Sequence, residues 1–334
     1  MIEFNCVHMN IDFKPQPDQS RLMLPRPLLC CWKKALLLLL ATLAPLAAAH
    51  AARPSVIDAN TLLYWSFDEG ADATSFADTS GNGRTGTPYS IGPTGITPGA
   101  EGVMGNGLSM AGASAGSNIF NLVGYAGFSE ENFPTREFTV QAWIKAPTAQ
   151  GDDARGNIIA TQRMAGANLI WSLGVVSGDT PDAVKLKLVF GNSSLTYTTD
   201  DLVLGVSDWW MVALVATAAE TENTQDYQLF LARNGATSLV NLGGLSAVEA
   251  QNWGDAHVNG RFSVGGDGLR ISGDNASEQA RRYNGMIDEV IYSNVARSES
   301  YLLAAAIPEA SGFAMLVIGA TLIGGGQWLS RRRR

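Results

Sequence analysis

The chain has 334 residues and a formal net charge of −8 at pH 7. Its three cysteines (Cys6, Cys30, Cys31) all precede residue 52, and His257 is the only histidine beyond that point. Residues 52–310 hold 14 Lys and Arg against 28 Asp and Glu, a balance of −14. For that stretch these counts exclude a disulfide framework, a thiol nucleophile and a cysteine or multi-histidine zinc site, and they leave a poor surface for the phosphates of nucleic acid. The surplus of carboxylates suits an exported domain and a hard cation such as calcium.

The first element is a leader. Lys33 and Lys34 precede the apolar run Ala35 to Ala49, and Ala49-His50-Ala51 has the A-x-A form of a signal-peptidase site. Cleavage between Ala51 and Ala52 is expected, with residues 1–51 as the leader. A start at Met23 gives a leader of 29 residues, with Arg26, Lys33 and Lys34 as its charges. Cys30 and Cys31 stand before the apolar run, so they are badly placed for a lipid at its end.

Residues 52–306 read as strands and turns. Leu63 to Glu69 is the first strand, and Asp78-Thr79-Ser80-Gly81-Asn82-Gly83 is a turn, where Asp and Asn side chains bond their own backbone. Longer loops are expected at Ile91 to Gly102, Ala113 to Ser117 and Asp267 to Gln279, and Tyr125 and Phe128 fall in a glycine-rich loop. In Phe138 to Ile144, alternation puts Phe138, Val140, Ala142 and Ile144 on one face. In Val184 to Leu188, Lys185 and Lys187 face away from Leu186 and Leu188. Trp209 to Val215 is continuously apolar, the pattern of a strand buried on both faces or a central one. Tyr227 to Leu231 leads into Arg233-Asn234-Gly235, a tight-turn signal. The one short helix starts near Ser298, as its cap, and runs through Tyr301 and Leu302. Many short strands with turn punctuation predict an all-β, two-sheet sandwich.

The chain ends in Ile307-Pro308-Glu309-Ala310, an apolar segment and the cluster Arg331, Arg332, Arg333 and Arg334. Residues 312–329 carry no charge; as a helix they span roughly 27 Å, enough for a bilayer core. The four arginines would stay on the cytoplasmic side. Pro308-Glu309, a single span and an arginine cluster together resemble the PEP-CTERM sorting signal of Gram-negative bacteria, with Ala310 where the motif usually has a second proline. The resemblance covers residues 307–334. It implies recognition by an exosortase-type membrane protease, inner membrane in transit, and delivery to the envelope, surface or extracellular matrix.

The body resembles a laminin-G-like domain of the concanavalin-A-like jelly-roll superfamily. The residues that carry this are Leu63 to Glu69 with Asp78 to Gly83, Phe138 to Ile144, Trp209 to Ala213 with Tyr227 to Phe230 and Asn234-Gly235, and Phe262 to Gly266 with Tyr283 to Tyr292. The resemblance implies two antiparallel sheets with the first and last strands adjacent, which would bring Asp68-Glu69 and Asp288-Glu289 to one edge. It also implies a candidate calcium site of Asp78, Asn82 and Asp288.

Of the tryptophans, Trp65 and Trp143 read as core, whereas Trp253, in Gln251 to Asp255, is a loop candidate for stacking on a sugar. A retaining glycosidase needs two carboxyls about 5–5.5 Å apart. The compact Glu-x-Asp-x-x-Glu or Glu-x-Asp-x-Glu stretch of the superfamily's glycanases does not occur here. Adjacent acids such as Asp288 and Glu289 would point to opposite faces of a regular strand. No enzyme is therefore expected. The expectation is a non-catalytic domain that binds a polysaccharide or another surface protein. The alternatives are a structural or adhesive matrix component and, third, a divergent glycanase.

Overall fold

The computed structural model describes residues 57–88, 95–110, 122–128, 137–145, 147, 157–163, 169–191, 195–219, 224–249, 260–266 and 282–306. They form fifteen strands and one short helix. The strands are β1 (Thr61–Trp65), β2 (Thr87–Pro88), β3 (Ile96–Glu101), β4 (Asn106–Met110), β5 (Val123–Phe128), β6 (Phe138–Lys145), β7 (Asn157–Arg163) and β8 (Leu169–Ser177). After them come β9 (Val184–Phe190), β10 (Leu195–Thr198), β11 (Trp209–Ala218), β12 (Thr224–Arg233), β13 (Val240–Glu249), β14 (Gly260–Val264) and β15 (Gly285–Ser293), then α1 (Glu299–Ala306).

The strands make two antiparallel sheets. One has eight strands in the order β13-β12-β11-β6-β15-β4-β3, with β1 also on β15. The other has seven, in the order β10-β9-β8-β7-β14-β5-β2. The two sheets share one core. Phe138 of β6 stacks on Trp171 of β8 with ring centroids 5.4 Å apart, and Phe262 of β14 stacks on Tyr292 of β15 at 4.8 Å. The all-β sandwich expected from the sequence is therefore present, with the first strand against the last: Tyr64 pairs with Ile291 and Trp65 with Val290.

Strand patterning explains which face each side chain takes. Phe138, Val140, Ala142 and Ile144 all enter the shared core, as the alternation predicts. β11 is buried on both faces. Val212, Leu214 and Ala216 enter the core between the sheets, while Trp209, Met211, Ala213 and Val215 join a second apolar cluster with Leu302 and Ala306 of α1. The helix thus covers part of the outer face of the eight-stranded sheet. Ser298 caps it: its Oγ accepts the Tyr301 N–H at 3.3 Å, leaving one fewer orphan donor in the first turn.

Four expectations need correction. The segment Ile91 to Gly102 is not all loop, because Ile96–Glu101 is β3, paired with β4 across an irregularity at Thr97/Ala100 where Gly99 takes a positive φ. Tyr125 and Phe128 lie on β5 and turn toward the core. The first strand stops at Trp65; Phe67 sits at φ 54, so Asp68 and Glu69 come after it. The fourth concerns Asp288 and Glu289 and belongs to the site below. Among the described residues no helix is long and apolar enough to cross a membrane. The leader helix, the span 312–329 and the processing residues Ala51, Ala52, Pro308, Glu309, Arg331, Arg332, Arg333 and Arg334 lie outside the described residues.

Candidate functional site

Two regions collect polar chemistry. The first is the edge where β1 meets β15. Asp288 lies directly opposite Trp143, yet Ile291 is the residue opposite Gln141, so β15 carries a bulge between them. Glu289 occupies the bulge at φ 48. A bulge shifts the side-chain parity of the residues after it. Ile287 and Val290 therefore both enter the core, while Asp288 shares the outer face with Trp143 and Glu289 meets Tyr64. The two acids thus share the outer side instead of pointing to opposite faces, because the strand is not regular there.

Both carboxylates are buried and engaged. Asp288 Oδ2 accepts the N–H of Val103 at 2.8 Å and of Met104 at 3.3 Å, and its Oδ1 accepts the Glu289 N–H at 2.9 Å. Glu289 Oε2 accepts the hydroxyl of Tyr64. Burial and the neighbouring Glu289 carboxylate hold the Asp288 carboxyl well above the usual carboxylate range, against the pull of its three N–H donors. Asp68 reaches the same hairpin from the other side, its Oδ1 accepting the Asn106 N–H at 3.1 Å. Both acidic clusters therefore brace the β3–β4 turn. Gly102 and Gly107 make room for this: a Cβ on Gly102 would come within 2.5 Å of Asp288 Oδ2.

Asp78 has a separate set of partners. Its Oδ1 accepts the N–H of Tyr64 and of Ser80, each at 3.0 Å, and the Ser80 hydroxyl at 2.6 Å; its Oδ2 accepts the Arg84 N–H at 2.9 Å. Asn82 donates to Thr61 O at 2.8 Å and Leu62 O at 3.1 Å. Ser80 links Asp78 to Asn82, whereas Asp288 bonds a different set of groups. Among the described residues no three His, Cys, Asp or Glu side chains gather as a metal site. Trp253 and its loop lie outside the described residues.

The second region is the outer face of the seven-stranded sheet. The core row Phe190, Trp171, Gln162, Phe262 and Tyr125 runs inward across five strands. One residue along each strand, the register gives a second row across all seven: Thr87, Gly124, Ser263, Thr161, Ser172, Val189 and Thr196. Alternation places this row on the opposite, outer face. Apart from Val189 it consists of hydroxyls and one glycine. The ends of the row, Thr87 and Thr196, are exposed, and Gly124, Ser263, Thr161, Ser172 and Val189 between them are buried. Thr161 Oγ1 donates to Trp171 O at 2.9 Å and Ser263 Oγ to Gly266 O at 3.0 Å. Ser172 Oγ and Arg261 Nε are buried and find no hydrogen-bond partner among the described residues. No single strand shows this row, since each supplies one residue to it; the only trace in the sequence is a small or hydroxyl residue between core positions.

A third feature is an open cavity of about 460 Å³ beside Asp208, Trp209 and Arg233. Arg233 is tied to Asp208 at 2.8 Å and the Trp209 ring is mostly covered, so little of that indole is free for stacking.

No protein-family model matches the chain, and no curated protein matches it. Solved structures do. Domain 4 of an extracellular arabinanase (AbnA) from Geobacillus stearothermophilus, in complex with arabinotriose, is similar at 17% identity and a TM-score of 0.44, over 74% of this chain and 98% of that one. A pentraxin from Limulus polyphemus is similar at 16% identity and a TM-score of 0.41, over 59% and 80% of the two chains. A Trypanosoma rangeli sialidase is similar at 13% identity and a TM-score of 0.48, over 76% of this chain and 34% of its own length.

Proposed function

We propose that this chain is a non-catalytic binding domain of an exported bacterial envelope protein, and that it takes a carbohydrate or another surface protein. The observation that carries the reading is a two-sheet antiparallel sandwich in which Asp68, Asp288 and Glu289 hold the edge where the first and last strands meet. In such a fold the strands hold the scaffold and the connections between them carry a binding surface. A non-catalytic reading is supported by the same acids. Asp288, Glu289 and Asp68 are bound to backbone or tyrosine groups that hold the fold, so they serve structure.

The test is retention of the full-length chain on a panel of immobilised plant and bacterial polysaccharides, with reducing-end release measured in parallel. We expect retention on at least one polymer and no release. Release abolished by removing a single carboxylate would make the protein a glycanase. Retention on none would favour a structural or adhesive component.

A further inference from the structure

Exposed apolar side chains gather at one edge of the sandwich. Five large apolar residues stay exposed among the described residues, and four of them are Leu195 (37%), Val203 (71%), Val206 (77%) and Val240 (54%). Leu195 lies on β10, the end strand of the seven-stranded sheet, and Val240 on β13, the end strand of the eight-stranded sheet. Val203 and Val206 lie on the connection from β10 to β11. The two end strands meet across the gap between the sheets, where the Tyr197 hydroxyl donates to Leu242 O. Tyr197, Leu242 and Leu245 are only partly buried against the core there.

This edge is also free of charge. Residues 195–199, 202–207 and 234–248 contain no Asp, Glu, Lys or Arg. Of the acids beside it, Asp201 lies 3.6 Å from Lys185 and Asp208 is paired with Arg233 at 2.8 Å. The far ends of the two sheets are built differently. β2 contains Pro88, and β3 contains Pro98, Glu101 and an irregularity, the devices that keep a strand edge from pairing. β13 is protected by bulges, with Gly243 and Ala247 at positive φ. β10 has neither proline, charge nor bulge, and the Val184–Leu202 bridge carries its edge further along β9.

The Thr199 N–H bonds Leu186 O, so alternation turns the N–H and C=O of Thr196 and Thr198 away from β9, toward the open side. Both residues are exposed. A second β10 laid antiparallel, Tyr197 against Tyr197, would set Thr196 of each copy opposite Thr198 of the other, each pair exchanging both N–H···O bonds. That match is self-complementary, as a twofold contact requires. Residues 52–310 hold 28 acids against 14 bases, so repulsion between copies is least where charge is absent. We propose that this edge is a homodimer interface, in which β10 pairs with β10 of a second copy about a twofold axis at Tyr197 and the exposed apolar residues beside it are covered. The interface is independent of the ligand proposed above.

The experiment is sedimentation velocity of the full-length chain in a neutral detergent, from nanomolar to high micromolar concentration, with Thr196→Pro and Val240→Glu alongside. The expected result is a reversible monomer–dimer equilibrium. Thr196→Pro removes an N–H that points to the partner in the dimer and to solvent in the monomer. It should weaken the dimer about tenfold or more and leave the thermal midpoint of the monomer unchanged. Val240→Glu adds like charge to both copies and should weaken the dimer about tenfold, more at low salt than at high. If Thr196→Pro lowers the midpoint, Val240→Glu decides the matter, because its site is more than half exposed. A chain that stays monomeric throughout would overturn the proposal. A dimer indifferent to both variants would also overturn it, since a contact elsewhere would then hold it. Open-ended oligomers would do the same, because a twofold contact closes.

Discussion

Asp288 is the residue whose environment departs furthest from what its neighbours in sequence imply. Its carboxyl is raised by burial and by Glu289, so the folded state holds the proton more tightly than the unfolded chain. The associated stability is complete below the unfolded value near 3.8 and is lost as pH rises through the higher folded value. Thermal unfolding across pH 4 to 8 should therefore show a downward slope that Asp288→Asn flattens; the same slope in both would show that Asp288 does not titrate in the fold. The same measurement bears on calcium. Each oxygen of Asp78 and Asp288 already accepts an N–H, so we expect millimolar calcium to leave the midpoint unchanged. A calcium-dependent rise abolished by both Asp78→Ala and Asp288→Ala would instead establish the cation. Asp78→Ala on its own orphans three backbone N–H groups and should cost about 2–4 kcal/mol.

At the scale of elements, the chain closes on itself through a clasp between the entry to β1 and the exit from β15. Arg297 binds Asp58 with both terminal nitrogens, at 2.7 and 2.6 Å, donates from Nε to Ser293 Oγ at 3.1 Å, and lies 4.1 Å from the centre of the Tyr301 ring. It ties β15 and α1 to the start of the domain. The Arg297 guanidinium lowers the Asp58 carboxyl to about 2. A lowered carboxyl adds stability that is present above its unfolded value and lost as pH falls through the folded one. The window is pH 4 down to pH 2. Acid unfolding of Arg297→Ala should lack the loss seen in that window and start from a lower midpoint at neutral pH. The effect will be smaller than the shift implies, because Asp58 is half exposed and screened. An unchanged acid limb would place the acid sensitivity elsewhere.

At the scale of the whole molecule, the sandwich has two unlike outer faces. One is apolar, with Trp143, Met211 and Phe230 under a cluster that includes α1. The other carries the row of hydroxyl side chains, buried at its middle. Export is the proposal for the ends of the chain. N-terminal sequencing of protein secreted by a Gram-negative host should find a start at Ala52, and deleting residues 312–334 should shift the protein out of the membrane fraction. Retention of Met1 or Met23, or unchanged fractionation after the deletion, would defeat that proposal.

Much of the fold was legible because local pattern and burial agree. The alternation of Phe138 to Ile144, the lysines of β9, the doubly buried β11 and the Ser298 cap all follow from side-chain periodicity within one element. The bulge at Glu289 was not legible, because a left-handed non-glycine residue is imposed by neighbouring strands and not by its own preference. Nor was β3, whose proline and glycine read as loop until β4 supplies its partner. The sequence by itself determined an acidic, all-β body, without cysteine from residue 52 onward, and its core positions. Only the tertiary structure decided that Asp288 and Glu289 share a face and that one hydroxyl from each of several strands lines up into a row. Register between strands distant in sequence is set by cross-strand packing, and no stretch of a single strand encodes it.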